Sequence, residues 1–505
     1  EMSVYGGGLV SLVGAGPGDP GLLTLKGQMR LLQADIVLYG PRVPKTLLEV
    51  CRTTCEVVAE GTVGGGAQPA IYDFLVHHGL RDKRVVRLKV GDPFLFGAGT
   101  GEIEALSSAG VPFEVVPGVT SGIAAPAYSG IPLMTSERSS RVSFVECDEG
   151  ADFEAQLKGL GRNTGTLVAF VADGQLGAVV NRLTQEGLAP HTPCAMILHG
   201  TTPMQQTITS ELSRVVHTAE SRAIRGPMVV VFGNSVSHRR QLAWFDRRPL
   251  WGRRVLVTRA RHQSEGLVEA LREAGAGVIR LPVLSFEPPT DLALLEQAIR
   301  SLVAGSYDWV VFTSANAVVR FDQAMRRAGF DNRIYSTCQV ACVGPATEAA
   351  LMNTGIRADL VPKEHRGEGL LRALQRGANV SGVRFLLPRA EHARSALPDG
   401  LVSAGADVEL VPTYRTVQPD ISADIAKKHV SLSDTVTFTS PSSVKNLLQT
   451  LGDEGAALLK SRTLAAIGPI TSRALLKADL EPTIVARNYT VGGLVEAIIR
   501  HAKNQ

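Results

Sequence analysis

Cysteine is scarce in this 505-residue chain, with six in all, and aromatic residues make up only 5% of it. So few thiols over such a length cannot form a disulfide framework. Cys51 and Cys55 are four apart, as are Cys338 and Cys342, but neither pair has a His or Cys partner at zinc-finger spacing. Reduced thiols are therefore expected, and no metal site. No apolar run approaches the ~20 residues needed to span a bilayer, so no membrane span is expected. Glu1 to Gly8 lacks a basic segment followed by an apolar one, so no signal peptide is expected and a cytoplasmic location is. Runs of like charge are also missing, and the net charge of +4 is small for this size. That argues against a nucleic-acid partner, yet allows a locally basic cleft for an acidic small molecule.

What is present is ordinary globular material, 44% apolar and 20% charged, long enough for roughly two to four domains. Apolar β-branched runs alternate with helical patterns: Leu9 to Val13, Val85 to Leu88, Thr166 to Val171, Met228 to Phe232, Arg254 to Thr258, Trp309 to Thr313, Val340 to Val343, Arg384 to Leu387, Thr435 to Thr439 and Leu464 to Ile467. Such continuous runs fit strands buried on both faces, and so an α/β protein with parallel sheets. The polar, Pro-containing segment Leu242 to Gly252 is the clearest joint. It divides the chain into residues 1–246, a linker at 247–252, and residues 253–505.

The second part repeats itself. Val257-Thr-Arg-Ala matches Leu387-Pro-Arg-Ala, and Ala274-Gly-Ala-Gly-Val matches Ala404-Gly-Ala-Asp-Val. Phe312-Thr-Ser matches Phe438-Thr-Ser, and Val343-Gly-Pro-Ala-Thr matches Ile467-Gly-Pro-Ile-Thr. The offsets are 130, 130, 126 and 124 residues. Four blocks in one order imply two similar α/β lobes and a cleft between them. Each Thr-Ser and Gly-Pro-x-Thr block lies between a strand and a helix. There a Ser or Thr caps the helix, and free backbone N–H groups can bind carboxylates. Capping alone would also explain these residues.

Residues 253 to 500 resemble uroporphyrinogen-III synthase. The resemblance is carried by Val255-Leu-Val-Thr-Arg-Ala260, Leu281-Pro-Val-Leu-Ser-Phe-Glu287, Asp308-Trp-Val-Val-Phe-Thr-Ser314, Gly344-Pro-Ala-Thr347, Leu387-Pro-Arg-Ala-Glu391, Val411-Pro-Thr-Tyr-Arg-Thr416, Ala466-Ile-Gly-Pro-Ile-Thr471 and Asn488-Tyr-Thr490. It implies cyclisation of hydroxymethylbilane with inversion of ring D, without metal or organic cofactor. Two lobes are expected: lobe one at about 253–287 plus 418–505, and lobe two at about 288–417. The resemblance places Tyr414 at the cleft as hydrogen-bond donor or general acid to the departing hydroxyl. It places Thr347 and Thr471 along the cleft, and gives Ser314 and Ser440 to acetate or propionate groups. Arg259 and Arg389, read as lying just past strand ends, are candidates to pair with carboxylates.

In the first part, Val10-Ser-Leu-Val-Gly-Ala-Gly-Pro-Gly-Asp-Pro20 runs from a strand into a Gly-rich loop and a helix expected over Leu22 to Leu32. Asp19 stands where the third glycine of a dinucleotide fingerprint belongs, and Pro17 interrupts the loop, which disfavours a nucleotide-dependent oxidoreductase. With Arg87-Leu-Lys-Val-Gly-Asp-Pro-Phe-Leu-Phe-Gly97, Val115-Val-Pro-Gly-Val-Thr-Ser-Gly122, Ala124-Ala-Pro-Ala-Tyr-Ser-Gly-Ile-Pro-Leu133 and Leu198-His-Gly-Thr-Thr-Pro203, residues 9 to 246 resemble the tetrapyrrole methylases, and among them uroporphyrinogen-III C-methyltransferase. That resemblance implies S-adenosylmethionine held between two α/β subdomains by Pro17, Gly91, Asp92, Leu95, Thr120, Ser121, Val171 and Gly200. It also implies methylation of uroporphyrinogen III at C2 and C7 to precorrin-2, and a homodimer formed through this domain.

Departures from the family are specific. Gly40 replaces its proton-accepting Asp, and Gly61 its proton-donating Lys. Ala98 replaces an Arg, Val90 a Gly and Val171 a Met, and Met134-Thr-Ser136 replaces Thr-His-Arg. A glycine cannot move a proton. Two readings stay open: an active methyltransferase that uses other residues, or a degenerate domain that binds tetrapyrrole or cofactor for the synthase. A two-lobed binding protein without chemistry is a third class; the missing signal peptide and the motifs argue against it.

Overall fold

A computed structural model describes residues 8–96, 99–135, 141–148, 152–161, 165–377, 379–392 and 396–504. Ala98 and Ser136 lie outside these. The described residues fall into two compact units. One runs to Val255 and includes Glu269–Val278 and the residues from Ile499 onward; the other comprises Leu256–Val268 and Ile279–Ile498. Among the described residues, no helix is long and apolar enough to cross a membrane.

The first unit holds two sheets. Strands β1 (Leu9–Gly14), β2 (Ile36–Tyr39), β3 (Glu56–Ala59), β4 (Arg84–Lys89) and β5 (Phe113–Val116) lie in the order β3-β2-β4-β1-β5, every pair parallel. Val10 and Leu12 pack with Ile71, Leu75 and Leu106 on one face. Val13 and Ala15 pack with Leu31 and Val37 on the other. The unbroken apolar run of β1 follows from this two-sided burial. After β1, Pro20–Leu22 forms a separate 3-10 turn under an Asp19 cap. The helix proper is Leu25–Gln33, capped by Thr24, so it begins later than the apolar pattern suggests.

The second sheet, β6 (Val142–Cys147), β7 (Thr166–Val171), β8 (Pro193–Leu198), β9 (Gln206–Glu211) and β10 (Met228–Phe232), has the order β6-β7-β10-β8-β9. Here the expectation of parallel strands is corrected. Only β6 and β7 are parallel; β10 runs antiparallel to both neighbours, and β8 to β9. An apolar run reports burial on two faces, not direction. All five residues of β10 are buried, with Met228, Val230 and Phe232 in one core and Val229 and Val231 in another. Part of the expected joint packs against the first unit. Trp244 Nε1 donates to the Ala127 carbonyl at 3.0 Å, Tyr128 meets both Trp244 and Phe245, and the Arg248 guanidinium lies 4.8 Å from each of those two rings.

In the second half the strands are β11 (Arg254–Val257), β12 (Gly277–Arg280), β13 (Ser285–Glu287), β14 (Trp309–Phe312), β15 (Gln339–Cys342), β16 (Arg384–Ala390), β17 (Asp407–Val417), β18 (Thr435–Phe438), β19 (Thr463–Ala466) and β20 (Ile484–Val485). They form two sheets, β12-β11-β18-β19-β20 and β13-β17-β16-β14-β15. The chain leaves the first sheet through β13 and returns through β17. These two strands pair antiparallel, Phe286 opposite Thr416.

A carboxylate cluster ties β1 and β5 to the first helix. Glu114 accepts from Ser11 Oγ at 2.8 Å, from Arg30, and from Lys26 Nζ at 2.8 Å. Burial alone would raise its carboxyl, but these donors outweigh burial and hold it at about 2, against an ordinary 4.5. A carboxyl depressed in the folded state stabilises above its unfolded value and loses that contribution as pH falls through the folded one. Part of the first unit's stability is therefore expected to disappear between pH 4.5 and 2. Thermal melts across that range should show a shallower acid limb in Glu114→Gln than in the parent chain.

Candidate active sites

In the first unit, three loops at the carboxyl ends of β1, β4 and β5 touch through their backbones. An added Cβ on Gly14 would lie 2.4 Å from Gly118 Cα, and one on Gly118 would lie 2.1 Å from the Gly91 carbonyl oxygen. Gly91 N–H donates to the Gly16 carbonyl at 2.8 Å, and Gly91 has φ +68°, the left-handed region that glycine enters freely. Asp92 fastens the frame: its Oδ1 accepts from Phe94 N at 2.9 Å and its Oδ2 from Gly118 N at 3.0 Å. Thr120 caps the helix Ser121–Tyr128, and Ser121 is that helix's first residue.

The loop after β8 approaches the same frame. Asp19 N–H donates to Thr201 Oγ1 at 3.1 Å, and Tyr128 Oη donates to Asp19 Oδ2 at 2.7 Å. Burial, then that bond, pushes the Tyr128 phenol well above its ordinary value. Gly200 lies between His199 and Thr201, both at positive φ, and a Cβ there would sit 2.5 Å from Ala125 Cβ. Pro17 and Leu95 are half-buried, and Val171 ends β7 inside the core. The loops after β1, β4 and β5 and the Gly200 turn thus meet backbone to backbone at the carboxyl ends of the strands. That suits a nucleoside-bearing cofactor bound by backbone groups, at the carboxyl ends where α/β sheets take ligands.

Sequence reasoning missed an ionic cluster beside this frame. Glu102, fully buried, accepts from Arg87 Nε at 2.8 Å and from Lys89 Nζ at 3.1 Å. Arg87 Nη2 also donates to Glu60 Oε2 at 2.9 Å. Burial pulls the Lys89 ammonium below its ordinary range, against the attraction of Glu102. Glu60, Arg87, Lys89, Arg42, Gly40 and Asp92 are among the residues lining a cavity of about 260 Å³. Alternate charges along β4 (Arg87, Lys89) were the available signal.

In the second unit, Tyr414 on β17 is only 6% exposed. Its hydroxyl lies 3.4 Å from Ser314 Oγ, and its ring stands edge-on to Phe286 at 5.3 Å. Ser314 caps the helix Ala315–Arg327, and Ser440 caps Pro441–Leu451 in a capping box with Ser443. Thr347 and Thr471 are not caps. Pro345 and Pro469 open their helices, so Gly344 and Gly468 take the capping position, and the two threonines are buried in the first turn at 4% and 3% exposure.

Arg389 is corrected too: it lies within β16, not past its end. Pro388 offers no N–H, and β16 goes on pairing with β17 alone as far as Ala390. Arg389 lines a cavity of about 880 Å³ with Thr313, Val343, Arg366, Ile470 and Arg473. Burial pulls its guanidinium below the ordinary value, as it does that of Arg259. Arg259 Nε donates to Gln263 Oε1 at 3.4 Å, and Gln263 Nε2 donates to Asn316 Oδ1 at 2.6 Å on the helix that Ser314 caps. Ser314 and Tyr414 are therefore brought together, with Arg389 in a hollow shared with the helix that carries Thr471.

The duplication runs further than the sequence blocks. A Cβ on Gly344 would meet His365 at 3.0 Å, and one on Gly468 would meet Tyr489 at 3.0 Å. Likewise Gly369 abuts the Glu364 carbonyl and Gly493 that of Asn488, each at 2.2 Å. All four correspondences keep the offset of 124 residues. Among the described residues, no group of three His, Cys, Asp or Glu could hold a metal ion. All six cysteines are free thiols, and burial pushes Cys147 and Cys194 up to about 12, far from thiolate chemistry at neutral pH.

Residues 9–216 match the family Tetrapyrrole (Corrin/Porphyrin) Methylases, and residues 265–496 match Uroporphyrinogen-III synthase HemD. A "Porphyrin biosynthesis protein HemD" of Ruminiclostridium josui is 31% identical over 499 residues, covering 97% of this chain and 98% of that one. A "Uroporphyrinogen-III C-methyltransferase" of Bacillus subtilis is 34% identical over 332 residues, 65% of this chain and 68% of that one. A solved uroporphyrin-III-C-methyltransferase from Thermus thermophilus is 30% identical, covering 48% of this chain and 98% of that one, at a TM-score of 0.39. The chain belongs to the family of the R. josui porphyrin biosynthesis protein, with a tetrapyrrole methylase domain followed by a uroporphyrinogen-III synthase domain.

Proposed function

We propose that residues 253–505 close hydroxymethylbilane into uroporphyrinogen III with inversion of ring D, and that residues 1–246 carry methyl groups from S-adenosylmethionine to C2 and C7 of that product, giving precorrin-2. What carries this reading is the match to one porphyrin biosynthesis protein over nearly the whole of both chains. In the synthase, the substrate's carboxylates pair with Arg389 and Arg473 in the cavity. Tyr414 Oη, poised beside Ser314 Oγ, donates to the departing hydroxyl, which leaves as water. Most of the acceleration comes from holding a flexible chain in a closing geometry. In the methylase, bound S-adenosylmethionine supplies an electrophilic methyl group. Gly91, Thr120, Ser121 and Gly200 hold it through their backbones, while Asp92 keeps the loops in register.

The full chain, given hydroxymethylbilane and methyl-labelled S-adenosylmethionine, is expected to form uroporphyrinogen III in place of the spontaneous uroporphyrinogen I and to label it. Uroporphyrinogen I alone would sink the synthase reading; unlabelled uroporphyrinogen III would sink the methylase reading. Within the synthase, Tyr414→Phe is expected to lower turnover about 10²-fold, the low end of general-acid contributions. Its thermal stability should hardly change, since the ring keeps its packing on Phe286. Full turnover in that variant would remove Tyr414 from the chemistry.

A further inference from the structure

The cavity of about 260 Å³ lies where β2, β3 and β4 end, and Glu60 and Asp92 are its two carboxylates. Asp92 is committed to the frame, both oxygens being held by backbone N–H groups. Glu60 is different. It follows directly on β3, it is 20% exposed, and Arg87 Nη2 holds its Oε2 at 2.9 Å. Parallel register pairs Tyr39 with Ala59, so Gly40 and Glu60 leave adjacent strand ends side by side. A Cβ on Gly40 would lie 3.1 Å from Glu60 Oε2. The bare glycine leaves open the space beside which the Glu60 carboxylate stands.

Methylation at a ring carbon creates a need for such a group. A π electron pair of the pyrrole forms the new carbon–carbon bond, and the old carbon–sulfur pair stays on sulfur. The tetrapyrrole then carries a positive charge, which it sheds as a proton. We propose that Glu60 accepts that proton. One carboxylate oxygen takes it from the ring and passes it to water, which restores the carboxylate. Arg87, anchored by fully buried Glu102, fixes the orientation of the Glu60 carboxylate. Arg42, which also lines the cavity, pairs with an acid group of the ring. This assignment rests on the methyltransferase reading above.

The test uses the full chain with uroporphyrinogen III and labelled S-adenosylmethionine, with calorimetry of S-adenosylhomocysteine as a readout independent of turnover. Glu60→Gln is expected to lower kcat about 10²-fold, because a proton acceptor is lost. It should hold the S-adenosylhomocysteine Kd within about twofold, a difference of less than about 0.5 kcal/mol. Adding Gly40→Asp to Glu60→Gln is expected to recover about tenfold of the loss, by returning a carboxylate to the same space. Normal turnover in Glu60→Gln overturns the assignment and leaves the methyltransferase reading standing. A parent chain that binds S-adenosylhomocysteine but transfers no methyl overturns both. A slow Glu60→Gln that Gly40→Asp does not recover, or one that no longer binds S-adenosylhomocysteine, makes Glu60 a support for Arg87 and also overturns it.

Discussion

Gly118→Ala is expected to cost the full-length chain most of its affinity for S-adenosylhomocysteine while leaving uroporphyrinogen III formation intact. The added methyl would fall 2.1 Å from the Gly91 carbonyl oxygen and 2.6 Å from Gly14 Cα. Both obstacles are backbone, so no side chain can swing aside; the loops after β1 and β4 must move away from the loop after β5. Overpacking of this kind costs ~1–3 kcal/mol even where side chains can yield. If that strain falls on the cofactor cradle, affinity drops by about ten- to a hundredfold. The Asp92–Gly118 bond at 3.0 Å would stretch with it. Gly177→Ala, whose methyl would meet nothing within 4 Å, is the control. Calorimetry on both variants decides the matter: unchanged affinity in Gly118→Ala would mean that these loops do not form the cradle.

The second large effect is expected at Glu102. Its carboxylate has no exposure, and it compensates two cations, Arg87 at 3% and Lys89 at 11% side-chain exposure. Arg87 Nη1 is already buried without a partner, so the cluster has no slack. Glu102→Ala would strand Lys89 and leave Arg87 only the partly exposed Glu60. Breaking a buried ionic network from one side costs ~3–5 kcal/mol, which lowers the melting temperature of a unit of this size by roughly 6–20 °C. Removing Arg87 in the same chain should return part of the loss, because the desolvated charge goes too. A double-mutant cycle on Glu102→Ala and Arg87→Met measures this coupling. Additive losses would show that the pair does not interact as its geometry says.

The frame of the molecule was legible because its strands are buried on two faces. The runs at Leu9, Val85, Trp309, Thr435 and Leu464 could be placed within a residue or two. Direction was not legible. β10 reads like a parallel strand but runs antiparallel, because the same apolar run satisfies either ladder. Repetition pointed to the two sheets of the second half, though β13, expected in lobe one, pairs with β17 in the other sheet, and the Ser314 and Ser440 caps were legible through the residue types that capping needs. The role of Thr347 and Thr471 in their helices was misjudged because proline claims the first turn and moves the cap to glycine. Glu60 was invisible for another reason. Its relation to Gly40 comes from the register between β2 and β3, twenty residues apart in the chain, and a search by motif looks for a carboxylate at the missing position rather than beside it.

The excursion through β13 and back through β17 also orders events during synthesis. Every strand of the sheet β13-β17-β16-β14-β15 leaves the ribosome before Thr435, so that sheet can close while the chain is still growing. β11 and β12 emerge earlier than any of it, yet the neighbour of β11, β18, arrives only afterwards. Until then one edge of β11 presents unpaired backbone groups and apolar side chains, the kind of surface on which nascent chains aggregate. The earliest-made piece of this domain is thus the last to find its place.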